Sequence, residues 1–311
     1  MKKISILIPT YNEEENVELL AKAIKDEFKK NLSKYKYEII FIDNYSTDKT
    51  RDKIKSLCKS DKNIKAIFNV RNFGQFNSPY YGLMQTTGDC SILMCADFQD
   101  PVDMIPKFVN EWENGYKIVI GIKKHSKENK LMYLFRSFYY KMIKKFSNVE
   151  QIEHFTGFGL YDKDFINLLK TLDDNQPYLR GIVAELGFQR KEIPYTQAKR
   201  KYGKTKNNWY SLYDVGMIGI TSYTKGIMRI ATIGGFIVAF ISLIIGLVYL
   251  VLKLIYWDRF LAGLAPILIG LFFVGALILF FIGFMGEYIL SINNRVMKRP
   301  LVVEESRINF K

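Results

Sequence analysis

Asp97 and Asp100 stand three positions apart in "LMCADFQDP", directly after an apolar run, with Gln99 between them. Carboxylates and an amide at the end of a strand are hard oxygen donors. They can hold a divalent cation against a diphosphate, because such a cation takes only one or two protein carboxylates and fills its shell with water and phosphate oxygens. Asp97 and Gln99, at alternate positions, can point their side chains the same way. Asp100 is expected to cap the turn at Pro101 and start the next helix, with Asp103 in its first turn. Cys95 occupies a place where a further acid would serve. The three cysteines, Cys58, Cys90 and Cys95, lack metal-ligand spacing and are expected to be reduced and buried. Two histidines in the whole chain leave little room for a His-centred mechanism.

Other polar clusters also follow apolar runs: Thr10-Tyr11-Asn12-Glu13, Asp43-Asn44 and Arg71-Asn72. The elements that must position them repeat along the chain. Ile4 to Ile8, closed by Pro9, and Tyr37 to Ile42, closed by Asp43, read as buried parallel strands. Between them Asn12 and Glu15 resemble a capping box, and Val17, Leu19, Leu20, Ala23, Ile24 and Phe28 supply an apolar helix face. Further helices are predicted over about 49–58, 78–86 and 102–114, with strands at 65–69, 90–95 and 117–122. The order is that of a doubly wound α/β domain with a mostly parallel sheet, whose ligands bind beyond the carboxyl ends of the strands. All the polar clusters fall at those ends.

Charged residues crowd the first 229 positions, whereas 230–252 and 260–286 contain none. As helices these stretches, about 23 and 27 residues, reach roughly 34 and 40 Å, enough to cross a hydrocarbon core with tilt. The short link between them makes an antiparallel hairpin. Lys225 and Arg229 before it, and Arg295, Lys298 and Arg299 after it, place both ends in the cytoplasm by the positive-inside tendency. Met1-Lys2-Lys3 leads into too short an apolar run for a signal peptide. Leu131 to Phe146 and Trp209 to Lys225 mix aromatics with cations, as interfacial helices do. The net charge of +14 suits anionic headgroups and phosphates. Nucleic acid is not expected as a partner, since the basic residues lie beside the spans and no nucleic-acid motif occurs.

The ordered motifs "ISILIPTYNEEENV", "YEIIFIDNYSTDKT", "RNFGQFNSPYYGLMQTTGD", "CADFQDP" and "RKYGKTKNNWYSLYD", followed by two spans, resemble a family 2 glycosyltransferase. More narrowly, the chain is similar to the polyisoprenyl-phosphate glycosyltransferases. The resemblance implies a GT-A-like fold over 1–208, facing the cytoplasm, then a juxtamembrane segment 209–229, spans at 230–252 and 260–286, and a cytoplasmic tail 287–311. It implies a UDP- or GDP-linked sugar donor, Mg²⁺ or Mn²⁺, a polyprenyl phosphate acceptor and residence in the cell membrane. Pro9, Tyr11 and Glu13 match the family's first nucleotide-contacting loop, and Asp43 the acid that contacts base or ribose; Arg71 joins this nucleotide-binding set. Asp97 and Gln99 match the metal positions. Arg136, Arg200, Lys204 and Lys206 match basic positions that hold the acceptor phosphate or close over the donor. Asp97, Arg200 and Lys204 are the catalytic candidates, and a second copy of the chain is a further candidate partner.

The chain departs from the family in three places. Asp43-Asn44-Tyr45-Ser46 stands for the usual Asp-Asp-Gly-Ser, Cys95-Ala96-Asp97 for Asp-Ala-Asp, and Thr156-Gly157-Phe158 for a Thr-Gly-Asp found in many members. The expected activity is inverting sugar transfer to a polyprenyl phosphate. Transfer to another lipid or a growing glycan, and an inactive protein that binds lipid phosphate or nucleotide sugar, remain alternatives.

Overall fold

The computed structural model describes residues 1–123, 152–198, 213, 216–221, 226–256 and 264–310. Its first half alternates strand and helix: β1 Lys3–Thr10, α1 Val17–Asn31, β2 Lys36–Asp43, α2 Thr50–Ser60, β3 Ile64–Asn69, α3 Gly74–Met84, β4 Cys90–Leu93 and α4 Met104–Glu113. There follow β5 Ile118–Lys123, β6 Phe155–Asp162, α5 Lys163–Thr171, α6 Leu179–Glu185 and β7 Arg190–Tyr195. Two long helices, α7 Gly226–Ile255 and α8 Leu264–Val296, precede a last strand, β8 Glu304–Ile308.

The eight strands form one sheet in the order β7-β5-β6-β4-β1-β2-β3-β8. Strands β4, β1, β2 and β3 run parallel, while β6 is antiparallel to β4 and β5, and β8 is antiparallel to β3. Side chains alternate across the sheet, so each strand feeds two cores. Ile4, Ile6 and Ile8 of β1 and Ile39 and Phe41 of β2 pack with Val17, Leu20 and Ile24 of α1, Ile54 of α2 and Phe108 of α4. Leu7, Ile40 and Ile42 face the opposite way, toward Tyr80 and Leu83 of α3, Phe165 and Leu169 of α5 and Val183 of α6. Helices therefore cover both faces, and every carboxyl end of the four parallel strands opens on one edge. The expected doubly wound, mostly parallel sheet is observed.

Helix α1 starts later than the capping-box pattern suggests. Its N-cap is Asn16, while Asn12 adopts a left-handed conformation (φ 56°) and uses its side-chain oxygen to accept from Thr47 N.

Glu38, on β2 away from the strand's carboxyl end, is the buried electrostatic centre of the domain. Its carboxylate lies 2.7 Å from both Lys3 and Lys65 and accepts from Ser5 Oγ and Thr87 N. Burial alone pushes the carboxyl up; the bonds from Lys3, Lys65, Ser5 and Thr87 overturn that and hold it at about 2, below the ordinary 4.5. A depressed carboxylate stabilises the fold above its unfolded pKa, and that stabilisation is lost as pH falls from about 4.5 toward 2. The contribution is about 3 kcal/mol near neutrality. Glu38→Gln is expected to lower the thermal midpoint at pH 6 and to flatten its fall between pH 5 and 3, both measurable by thermal unfolding in detergent.

Helices α7 and α8 contain stretches, Thr232–Ile255 and Gly270–Val296, long and apolar enough to cross a membrane, and neither is buried in the protein. Phe236 and Phe272 are each 73% exposed. A core hairpin of a soluble domain would hide such side chains. The length, apolarity and exposure of these helices point to membrane association. Asn175 ties the domain to them by donating to Met297 O at 2.6 Å, just past the end of α8. The interfacial segment expected at 131–146 lies outside the described residues. Of the one at 209–225, the described part includes Tyr213, whose hydroxyl donates to Glu287 at 2.8 Å, and a helical stretch over 216–221.

The C-terminal segment returns to the sheet. Strand β8 pairs with β3 from Ala66↔Ile308 to Asn69↔Glu304, Val302 is buried, and Asn309 donates to Cys58 O and Ile64 O at 2.7 Å each. It covers the outer edge of β3, which would otherwise offer unpaired backbone groups to other chains.

Candidate active site

The loops that follow β1, β2 and β3 are laced together. Asn12 N donates to Ser46 Oγ at 2.8 Å, Glu13 N to Thr50 Oγ1 at 2.8 Å, and Lys49 N to Glu14 Oε2 at 2.9 Å. Asn44 joins the second loop to the third. Its Nδ2 donates to Asn72 Oδ1 and Gly74 O, and its Oδ1 accepts from Asn69 Nδ2 and Phe73 N. That amide uses both donor and acceptor capacity, which a carboxylate cannot do. The asparagine standing where the family has its second acid is thus explained by the scaffold.

Asp43 is fully buried. It accepts from Ser46 N and Ser46 Oγ and lies 3.3 Å from Arg51 Nε, an ion pair without hydrogen-bond alignment. Burial raises its carboxyl above the ordinary value against Ser46, Arg51 and Thr10. Its oxygens are engaged within the loop that follows β2. Arg51 continues to Glu305 of β8, so the last strand is tied into this loop.

Strand β4 ends at Leu93, two residues before the expected position, and the chain turns through Cys95 to Asp100. Asp97, 5% exposed, accepts Gln99 N at 3.1 Å, a tight turn around Phe98, whose φ is 60°. Gln99 is half-buried beside it. Asp100 accepts Cys95 N at 2.9 Å and Tyr195 Oη at 3.2 Å, so it closes the 95–100 turn; the expected helix start falls instead to Asp103, the N-cap of α4. Burial first, with the neighbouring Asp97 charge adding to it, pushes Asp100 up to about 6. Both its oxygens are engaged within the turn and by Tyr195.

Cys95 corrects the expectation of three buried thiols. Cys58 and Cys90 are buried, but Cys95 is exposed. Enough protein still crowds its sulfur that desolvation, then Asp100 and Asp97, push the thiol well above its ordinary range. Its neighbours keep it a neutral thiol.

Phe158 lies outside the cleft. Gly157 has φ 102°, β6 slips register against β5 here, and Phe158 turns into the core against Phe108 and Tyr195, with ring centroids 4.9 and 5.4 Å away. A carboxylate there would be buried among aromatic rings.

Of the remaining nucleotide-binding candidates, Pro9 and Tyr11 are half-buried at the end of β1. Glu13 accepts Asn16 Nδ2 at 2.7 Å, so its side chain serves the start of α1. Arg71 is exposed at the end of β3 with its guanidinium 4.1 Å above the Phe73 ring. Arg136, Arg200, Lys204 and Lys206 lie outside the described residues. One cation escapes motif reading: half-buried Arg180, on α6, acts electrostatically on the Cys95 thiol. Nothing in "YLRGIVAE" marks it, because its relevance comes from α6 packing on β6.

Among the described residues no three His, Cys, Asp or Glu side chains gather as a metal cluster. The donor set of Asp97 and Gln99 nevertheless fits a hard cation that draws its other ligands from a diphosphate and water.

A parallel-centred sheet covered on both faces, with its polar loops and a carboxylate–amide pair at the strand ends, is a GT-A-like architecture, that of glycosyltransferases. The chain belongs to glycosyl transferase family 2, whose family model matches residues 5–187. It is 31% identical over 299 residues to a prophage bactoprenol glucosyl transferase homolog of Escherichia coli, covering 96% of this chain and 97% of that one. A bactoprenol glucosyl transferase of Shigella phage SfX is 31% identical over 98% of this chain and 99% of its own. The putative glycosyltransferase CsbB of Bacillus subtilis is 32% identical over 98% and 92%. Among solved structures, a mannosyltransferase from Pyrobaculum calidifontis in complex with GDP-Man and Mn²⁺ aligns over 71% of this chain and 62% of its own, at TM-score 0.49 and 14% identity. The protein is a glycosyltransferase.

Proposed function

We propose that the protein transfers a sugar from a nucleotide-sugar donor to a polyprenyl phosphate at the cytoplasmic face of the membrane, inverting the anomeric centre. The observation that carries this reading is the length of the likeness: a bactoprenol glucosyl transferase and a homolog of one match across 96–98% of the chain, well beyond the 5–187 of the family model. A domain attached to such helices is suited to an acceptor whose phosphate stays at the bilayer surface. Because β8 returns to the sheet after α8, both ends of the hairpin belong on one side, and the flanking cations favour the cytoplasm.

The acceptor supplies its own nucleophile. A phosphate monoester has a second pKa near 6, so at neutral pH it is largely dianionic. Its oxygen forms a bond to the anomeric carbon as the bond to the nucleoside diphosphate breaks on the opposite face, and no protein base is required. This is why a phenylalanine at 158 is compatible with turnover. The departing diphosphate gathers negative charge, which a divalent cation neutralises when bound. Asp97 and Gln99 are the residues to hold it, with the laced loops positioning the donor. Arg136, Arg200, Lys204 and Lys206 are assigned to the acceptor phosphate and the closing of the donor site, and Arg71 to the donor.

The test is a purified full-length protein in nanodiscs with Mn²⁺ or Mg²⁺, undecaprenyl phosphate and a panel of UDP- and GDP-sugars, with lipid products read by mass spectrometry. A polyprenyl-phosphate hexose is the expected product, and UDP-glucose is the first donor to try, given the relatives' names. No donor consumed across the panel overturns the reading; transfer only to other lipids or glycans replaces the acceptor.

A further inference from the structure

We propose that Tyr45 is a specificity-determining residue of the donor site, whose ring stacks on the nucleobase; this rests on the nucleotide-sugar reading above. Tyr45 has φ 69°, a left-handed conformation that is a true outlier for a bulky side chain. The residues around it enforce that conformation. Asn44 is held by four hydrogen bonds, Ser46 by two to Asp43 and one from Asn12 N, and Thr47 N donates to Asn12 Oδ1. Asn44 and Ser46 are buried on either side, while Tyr45 keeps 45% of its surface exposed. Glycine would meet the backbone demand without cost, so the aromatic side chain stands against local preference. Strain of this kind, over-determined by its surroundings, collects at ligand clamps.

The sheet says which part of the donor is within reach. Asp97 follows β4, and Tyr45 follows β2, with β1 between them. Neighbouring strands lie about 4.8 Å apart, so the two strand ends are separated by about 10 Å. That is the span from a diphosphate across a ribose to its base. An exposed phenol ring just past the end of β2, in a loop latched to the Tyr11 loop through Ser46 and Thr47, offers a flat face for stacking. Because every base has such a face, the ring supplies affinity for nucleosides generally, and its hydroxyl can favour one base edge over another.

The experiment measures Kd for UDP, GDP and the matching nucleotide sugars by calorimetry with Mn²⁺, alongside thermal midpoints, on full-length wild type, Tyr45→Gly, Tyr45→Leu and Tyr45→Phe. Tyr45→Gly is expected to raise the thermal midpoint by relieving the strain while weakening the nucleotide about tenfold or more. The loss should be equal for nucleoside diphosphate and nucleotide sugar, since both carry the base. Tyr45→Leu, which keeps the bulk without the π face, should weaken binding similarly, and Tyr45→Phe should keep most of the affinity. Unchanged Kd values in both the glycine and leucine variants overturn the role of Tyr45 and leave the transferase reading standing. A wild-type chain that binds no nucleotide overturns both.

Discussion

Asp97→Asn is expected to lower sugar transfer on the order of a thousandfold while leaving the fold intact. The substitution isolates the charge. Asn keeps an oxygen in the position that accepts Gln99 N, so the turn through Phe98 is retained. The charge has no substitute, because Asp100 is spent on Cys95 N and Tyr195 and the Cys95 thiol is held neutral. The measurement is turnover together with the Mn²⁺ dependence of nucleotide-sugar affinity; the variant should need far more metal for the same occupancy and show an unchanged thermal midpoint. Turnover close to wild type would remove Asp97 from the mechanism. The same variant also decides against an inactive binding protein, which would tolerate it in the cell.

The second large effect runs against family resemblance. Restoring the usual acid by Asn44→Asp is expected to destabilise the protein by about 3 kcal/mol, not to improve it. A carboxylate at this buried position would face Asn72 Oδ1 and Gly74 O, two acceptors now served by the Asn44 amide. It would also be a second buried acid beside Asp43, whose own carboxyl burial already raises. The thermal midpoint should fall by several degrees and nucleotide affinity with it, since loops two and three lose their tie. A midpoint equal to wild type would show that the loop tolerates an anion and that the amide network is dispensable.

Much of this protein is legible from residue order because its strands are short apolar runs ended by polar punctuation at Pro9, Asp43 and Asn69. Placing the clusters after Thr10, Asp43 and Leu93 at one sheet edge then follows from topology. What escapes is set by three-dimensional satisfaction of polar groups. Asn12 looks like a helix cap, yet its side chain is taken by Thr47 N, and α1 waits until Val17. Asp43 reads as a ligand, and its contacts with Ser46 and Arg51 do not show in residue order. Phe158 reads as a lost acid, but a glycine at positive φ and a register slip rotate that position into the core. Strand β8 is invisible because "EESRI" has no alternating apolar pattern; it forms by covering an edge, with Val302 buried just ahead of it.

Strand β8 also sets the order in which the protein becomes whole during synthesis. Asn309 pairs with Ile64 across 245 positions of sequence, and both apolar helices lie between them. At 5–20 residues per second the outer edge of β3 waits on the order of 10–50 s for its partner. Throughout that interval Arg51 lacks Glu305. The sheet therefore completes itself only once β8 has been made, after both apolar helices. A product that stops short of β8 keeps an open sheet edge.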